Sequence, residues 1–143
     1  MARLITNALD LGIGEYTEVA TLLAGSAITA KTPVCLDATK TGEDRMRYVI
    51  PSTTAIATEF VGIALEAQAT VGDPVRVAVA GYVEGAVTDT NVGQHDSLIA
   101  GAAVVLPYTA ASTDPIVGAA LEADVVAACD VVLNGYGKGL LGL

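Results

Sequence analysis

The sequence has no tryptophan, one phenylalanine, one histidine and only two cysteines in 143 residues. Cys35 and Cys129 are too few for a disulfide scaffold and wrongly spaced for zinc. His95 lies beside Asp96 and Ser97, but adjacent residues on a strand point to opposite faces, so these neighbours form no catalytic triad. A sugar-cleaving site usually needs an aromatic-lined cleft, which this composition does not favour. We therefore expect no enzyme, no cofactor and no metal site.

Basic residues are also scarce, seven against sixteen acidic residues, so the net charge is −9. A phosphate backbone requires a basic face, and an anionic membrane does too, so we expect neither nucleic acid nor membrane as a partner. No run of 18 apolar residues is present, and the start of the chain does not resemble a secretory signal. Five of the seven basic residues fall within the first 47 positions, which leaves the remainder of the chain strongly acidic.

Small aliphatic residues are abundant, with 25 alanines and 18 valines. Val75, Val77 and Val79 recur at every second position, the spacing of a half-buried strand. Other short runs rich in β-branched residues are bounded by glycine or proline, at 32–36, 48–50 and 102–106. Many short strands with turn signals between them predict an all-β fold, a single small barrel or sandwich. Residues 52–59 and 122–128 are candidates for short helical turns, and residues 135–139 for a flexible tail.

An internal repeat is the most informative pattern. Residues 60–67 and 116–123 agree at six of eight positions at an offset of 56. A small-residue turn, a valine-rich strand and a Gly-Tyr pair follow each copy. Two copies cannot form a solenoid, so the pattern predicts one domain of approximate two-fold symmetry. We place the domain at 19–143 and its halves at about 19–87 and 92–140.

The repeat makes specific residues equivalent. Gly62 should match Gly118, and Leu65 should match Leu121 with both leucines buried. Glu66 and Glu122 also recur, which favours a structural role for these carboxylates, such as bonding the N–H groups of a turn, over a catalytic one.

Residues 1–18 lie outside the repeat and carry several aliphatic side chains. Two interpretations remain open: an edge strand or frayed terminus, or an extended N-terminal arm that docks on a partner. The second interpretation makes the following residues candidates for contact with that partner: Arg3, Leu4, Ile5, Leu9, Leu11 and Ile13. The loop at 37–47 is the next candidate, through Lys40, Arg45 and Arg47.

The repeated Val-Gly-x-Ala-Leu-Glu-Ala units, with the strands after them, resemble the small capsid cement (decoration) proteins of tailed bacteriophages. The resemblance covers about residues 19–136. It implies a β-rich, often trimeric protein that binds the outer surface of an icosahedral capsid and stabilises it. No catalytic residues come with the resemblance.

From this resemblance we expect the major capsid protein and further copies of this chain, as a homotrimer, to be the partners. The protein would be made in the host cytoplasm and reside on the outside of the virion. The alternative is a receptor- or carbohydrate-binding β module such as a head fibre base. A surface cluster of tyrosines would favour that alternative: Tyr16, Tyr48, Tyr82, Tyr108 and Tyr136.

Deletion of residues 1–14 tests the arm. Burial of three of its aliphatic side chains would contribute about 5 kcal/mol to docking. We expect the shortened protein to keep its melting temperature in calorimetry, because the arm lies outside the repeat, and to lose most of its occupancy on capsid shells. Unchanged occupancy would move the docking surface to the loop at 37–47.

Overall fold

The structure, a computed structural model, describes residues 17–89, 91–109 and 112–142. These ranges form nine strands, two short 3-10 helices and one short α-helix, so the prediction of an all-β barrel is confirmed. The strands are β1 Glu18–Ala24, β2 Pro33–Leu36, β3 Tyr48–Pro51, β4 Phe60–Ala64, β5 Pro74–Val87, β6 Ser97–Ala100, β7 Val105–Pro107, β8 Gly118–Ala120 and β9 Ala128–Leu133. The 3-10 helices are Gly42–Met46 and Thr54–Glu59, and the α-helix α1 is Tyr136–Leu140.

The first five strands close into a barrel in the order β1-β3-β2-β4-β5, because β1 also pairs with β5. Val75, Val77 and Val79 are buried in its interior, as their spacing predicts. Ala78, on the opposite face of β5, is buried as well because the rest of the chain packs against that face.

Strand β5 does not end where the first barrel ends. Its second part pairs with β9, and the sheet continues through β8 and β6 to β7. Gly81 and Gly85 have positive φ angles of 91° and 66°, and the register with β9 shifts between Val83 and Ala86, as at a β-bulge. A bridge from Thr88 to Val105 then brings the end of β5 beside β7.

The second set of strands repeats the pairings of the first. Strand β6 is the equivalent of β2, at an offset of 64 residues. Strands β7 and β8 are the equivalents of β3 and β4, both at an offset of 56, and β9 is the equivalent of β5, at an offset of 54. The matched pairs include Leu36 with Val49 and Ala100 with Val105, Val34 with Gly62 and Leu98 with Gly118, and Ile63 with Ala78 and Ala119 with Val132. These pairings support the repeat, and the symmetry that relates the halves stays a prediction.

The two recurring glutamates occupy equivalent positions after β4 and β8. An Oε1 atom of Glu66 accepts a hydrogen bond from the backbone N–H of Arg76 at 3.4 Å, and Oε1 of Glu122 accepts one from Asp130 at 3.2 Å. Both carboxylates therefore have a structural role, but they bond the backbone of the following strand rather than the N–H groups of a turn.

Several local expectations are wrong. Leu65 is 4% exposed, but its equivalent Leu121 is 42% exposed, because the second half covers the first and no described residue covers the second in the same way. Residues 122–128 form bends rather than a helical turn, and the expected flexible tail instead contains helix α1. Gly137 of α1 lies directly on the backbone of Val61, so a side chain there would collide with β4.

Alanine in place of Gly62 or Gly118 should destabilise the fold by about 2–4 kcal/mol, measured by urea unfolding. A Cβ atom at these sites would collide with the carbonyl oxygens of Ala78 and Val132 respectively, where neighbouring strands approach closely. Gly139→Ala is the control, because its Cβ would meet no atom within 4 Å. A neutral effect at both Gly62 and Gly118 would contradict this packing.

Both cysteines should be unreactive in the native protein. Burial raises the pKa of the Cys35 thiol to about 12 and that of Cys129 to about 11, with nearby acidic side chains adding to both. Their contribution to stability is complete below the unfolded pKa near 9 and is lost as the pH rises towards 11–12. A chromogenic thiol reagent at about pH 8 should label neither cysteine until denaturant is added, and rapid native labelling would contradict their burial.

Candidate docking surfaces

The loop between β2 and β3 is fastened at its start by Asp37. This buried carboxylate accepts hydrogen bonds from the backbone N–H and the hydroxyl of Thr39, at 3.0 and 2.7 Å. Burial by itself would raise the pKa of Asp37, but these hydrogen bonds, together with the charges of Lys40 and Arg45, hold it below its usual value. The basic part of the loop therefore starts from a fixed point on the barrel.

The three predicted docking residues of this loop are all described, and two are already paired within the chain. Arg45 forms an ion pair with Glu59 at 3.2 Å, and exposed Arg47 forms one with Glu43 at 2.7 Å. Lys40 places its ammonium group 4.5 Å from the centre of the Tyr48 ring. Lys40 makes no ion pair with a described residue, so its charge is the one in the loop most available to a partner.

The six arm candidates, Arg3 to Ile13, lie outside the described residues. The last two residues of the predicted arm belong to the barrel. The hydroxyl of Thr17 donates to the carbonyl oxygen of Tyr82 at 2.7 Å, and Glu18 begins β1 and forms an ion pair with Lys138 at 2.7 Å. Thr17, where the described chain begins, therefore lies next to the middle of β5.

Exposed valines mark the tips of two equivalent hairpins. In the β8–β9 hairpin, the backbones of Val125 and Ala128 form hydrogen bonds with each other. Val126 and Ala127, which lie between them, adopt φ angles of 53° and 59°. A β-branched residue rarely adopts a positive φ, and Val126 is also 95% exposed. In the β4–β5 hairpin, Val71 is exposed next to Gly72, and this glycine adopts a positive φ without strain.

An apolar groove of about 330 Å³ lies on the outer face of the second half. Its aliphatic walls come from Ile116, which is 42% exposed, Val132, which is 37% exposed, and Ala119 between them. Ser97 and Asn134 supply polar atoms at the lining. The periodicity of these short strands did not reveal the groove. No local sequence signal marks it, because the groove depends on which faces the folded halves cover.

The surface of the second half is acidic. From residue 81 onward the chain has seven acidic residues and one basic residue, Lys138. Asp130 uses its two carboxylate oxygens to bond the hydroxyl of Tyr82 at 2.9 Å and the N–H of Gly85 at 2.9 Å, which fastens the bulge of β5. Burial, and then this carboxylate, raise the pKa of Tyr82 to about 12, so the hydroxyl stays a donor.

The four described tyrosines lie on separate elements, and each has a different environment. Tyr48 packs under Lys40, Tyr82 bonds Asp130, Tyr108 is exposed after β7, and Tyr136 donates to the carbonyl oxygen of Thr58 at 2.6 Å. The fifth, Tyr16, lies outside the described residues. The tyrosine pattern therefore does not by itself decide between the two functional expectations.

Reactive groups are dispersed in the described part of the chain. His95 is exposed on a loop, and the raised pKa values keep both thiols protonated at neutral pH. Across residues 17–89, 91–109 and 112–142, no three His, Cys, Asp or Glu residues are grouped as metal ligands would be. Within the same ranges, no helix has the length and apolar character to cross a membrane.

Comparison with known proteins finds similarity among solved structures. No protein-family model matches this sequence, and no curated protein matches it either. Among solved structures, the chain is similar to the N base of the head fiber protein gp8.5 of bacteriophage phi29. The match has a TM-score of 0.58 and 16% sequence identity, and it covers 82% of this chain and 94% of that one. The two chains therefore share a fold.

Proposed function

We propose that this protein is a structural component of a bacteriophage head, without enzymatic activity, attached to the outer surface of an icosahedral shell. The observation that carries the proposal is the fold shared with a phage head fibre base over most of both chains. The sequence resemblance to capsid cement proteins leads independently to the same location.

The surfaces of the barrel fit a docking role better than a catalytic one. They consist of a loop with one available cation, two valine-tipped hairpins and a shallow apolar groove, and these are spread over several elements. A shell presents many identical sites, so modest contacts multiply when several copies or linked chains bind together. The proposed partners are the major capsid protein and further copies of this chain as a homotrimer. The protein would be made in the host cytoplasm and carried on the virion.

Two finer roles are distinguished by what the bound protein does to the shell. A cement protein bridges neighbouring capsid subunits and raises the stability of the shell, which is the role that the repeat motif favours. A fibre base anchors a projecting structure and need not stabilise the shell, and the similarity to the phi29 head fiber base favours this second role. We propose the cement role first because the repeat extends over nearly the whole chain.

Co-sedimentation with purified shells, followed by calorimetry of the same shells, tests the function. We expect saturable binding and a rise in the shell's melting temperature, because a ligand that binds only the assembled state stabilises it. Lys40→Gln should weaken binding at low salt by about three- to tenfold, as loss of a steering charge does. Sedimentation of the same variant without shells shows whether its self-association has changed instead. The control Arg76→Gln removes a charge that is already paired with Glu66 at 2.7 Å and should bind normally.

The other outcomes are equally informative. Saturable binding without any change in shell stability would favour the fibre base. Absence of binding to shells, by a protein that remains folded, would overturn the proposed function.

A further inference from the structure

The two halves present the same outer face, but within the described residues only the face of the first half is covered. In the first half, Phe60, Ile63 and Ala78 are fully buried and belong to one apolar cluster with residues of the second half. Their equivalents in the second half are Ile116, Ala119 and Val132. These residues line the open groove.

The cover on the first half has two identifiable parts. The β6–β7 turn docks at Ser52, whose hydroxyl donates to the carbonyl oxygen of Gly101 at 2.5 Å and whose own carbonyl accepts from the N–H of Ala103 at 2.9 Å. Tyr136 packs against the same cluster and bonds Thr58. The outer face of the first half is therefore covered by the β6–β7 turn, which is hydrogen-bonded to Ser52 just after β3.

The residue equivalent to Ser52 is Tyr108. Each follows a strand-ending proline, Pro51 or Pro107, and each donates its backbone N–H to an equivalent carbonyl, that of Pro33 at 3.0 Å or of Ser97 at 2.7 Å. Ser52 is 2% exposed because a turn covers it, whereas Tyr108 is 41% exposed. No described residue therefore covers Tyr108 as the β6–β7 turn covers Ser52.

We propose that a second copy of this chain covers the groove, with its β2–β3 loop seated at Tyr108 as the β6–β7 turn is seated at Ser52. The β2–β3 loop is the first-half equivalent of that turn. Its three basic and three acidic residues balance, so it does not share the net negative charge of the second half and is not repelled by it. The contact joins two different surfaces, so it is heterologous and can close into a ring, whereas an isologous contact stops at a dimer. This inference deepens the proposed function and rests on its homotrimer.

Sedimentation of the full chain without shells tests the contact. Ile116→Asp would place an unpaired charge in the interface, and we expect it to weaken self-association by at least about tenfold. Val126→Asp is the matched control, because Val126 is exposed outside the groove and aspartate tolerates a positive φ better than valine does. Circular dichroism and the urea midpoint show whether each variant is folded.

Cross-linking provides a second readout that does not depend on destabilising the interface. Chains with Ile116→Cys are mixed with chains with Lys40→Cys and treated with a short bifunctional maleimide. The proposal predicts mixed pairs, and it predicts ladders ending at three chains when both substitutions share one chain. Native Cys35 and Cys129 are buried and do not compete. Efficient pairing of Ile116→Cys chains with each other would overturn the head-to-tail contact.

Three other results would overturn the proposal. A chain that stays monomeric at about 100 µM has no such contact. If deletion of residues 1–16 makes Ile116→Cys newly reactive, the chain's own N-terminal segment covers the groove. If Ile116→Asp abolishes shell binding with unchanged self-association, the capsid covers it. A chain that forms a trimer but does not bind shells would overturn only the proposed function. A chain that binds shells as a monomer would overturn only this contact.

Discussion

The rest of the structure depends on strand β5, which serves both halves of the chain. Its first part closes one barrel against β1 and β4, and its second part begins the other sheet against β9. A single strand of 14 residues can do this only if it bends between the two parts, which Gly81 and Gly85 permit at positive φ. The two halves therefore share covalent backbone as well as an apolar cluster, and we expect them to unfold together.

Close approach between strands explains the unusual composition. Beside Gly62 and Gly118 the neighbouring backbone leaves no room for a Cβ atom, and most interior positions hold valine or alanine. A narrow five-stranded barrel has little interior volume, so aromatic side chains would overfill it. The scarcity of aromatics, which argued against a sugar-binding cleft, therefore also follows from the width of the barrel.

The sequence predicted what depends on local pattern and on the repeat. The alternation of Val75, Val77 and Val79 was enough to predict β5, and the duplicated Val-Gly units were enough to place Gly62 and Gly118 at equivalent positions. The groove, the exposure of Leu121 and the docking of α1 depend instead on which faces the folded halves cover. The two repeat copies have the same local sequence pattern whether or not the folded chain covers their outer faces. These features could therefore be found only in the structure.

The uneven distribution of charge along the chain bears on how two copies of the chain can pair. The second half carries most of the net negative charge and an apolar face that no described residue covers. Lys40, which forms no ion pair with a described residue, lies on a first-half loop. Like charges on equivalent faces oppose a symmetric pairing of two grooves, because an isologous contact would bring the acidic halves together. A head-to-tail contact instead places the acidic half against the β2–β3 loop, whose three basic and three acidic residues balance. The charge asymmetry along the chain thus favours the heterologous arrangement and disfavours the isologous one, independently of the matching strand pairings.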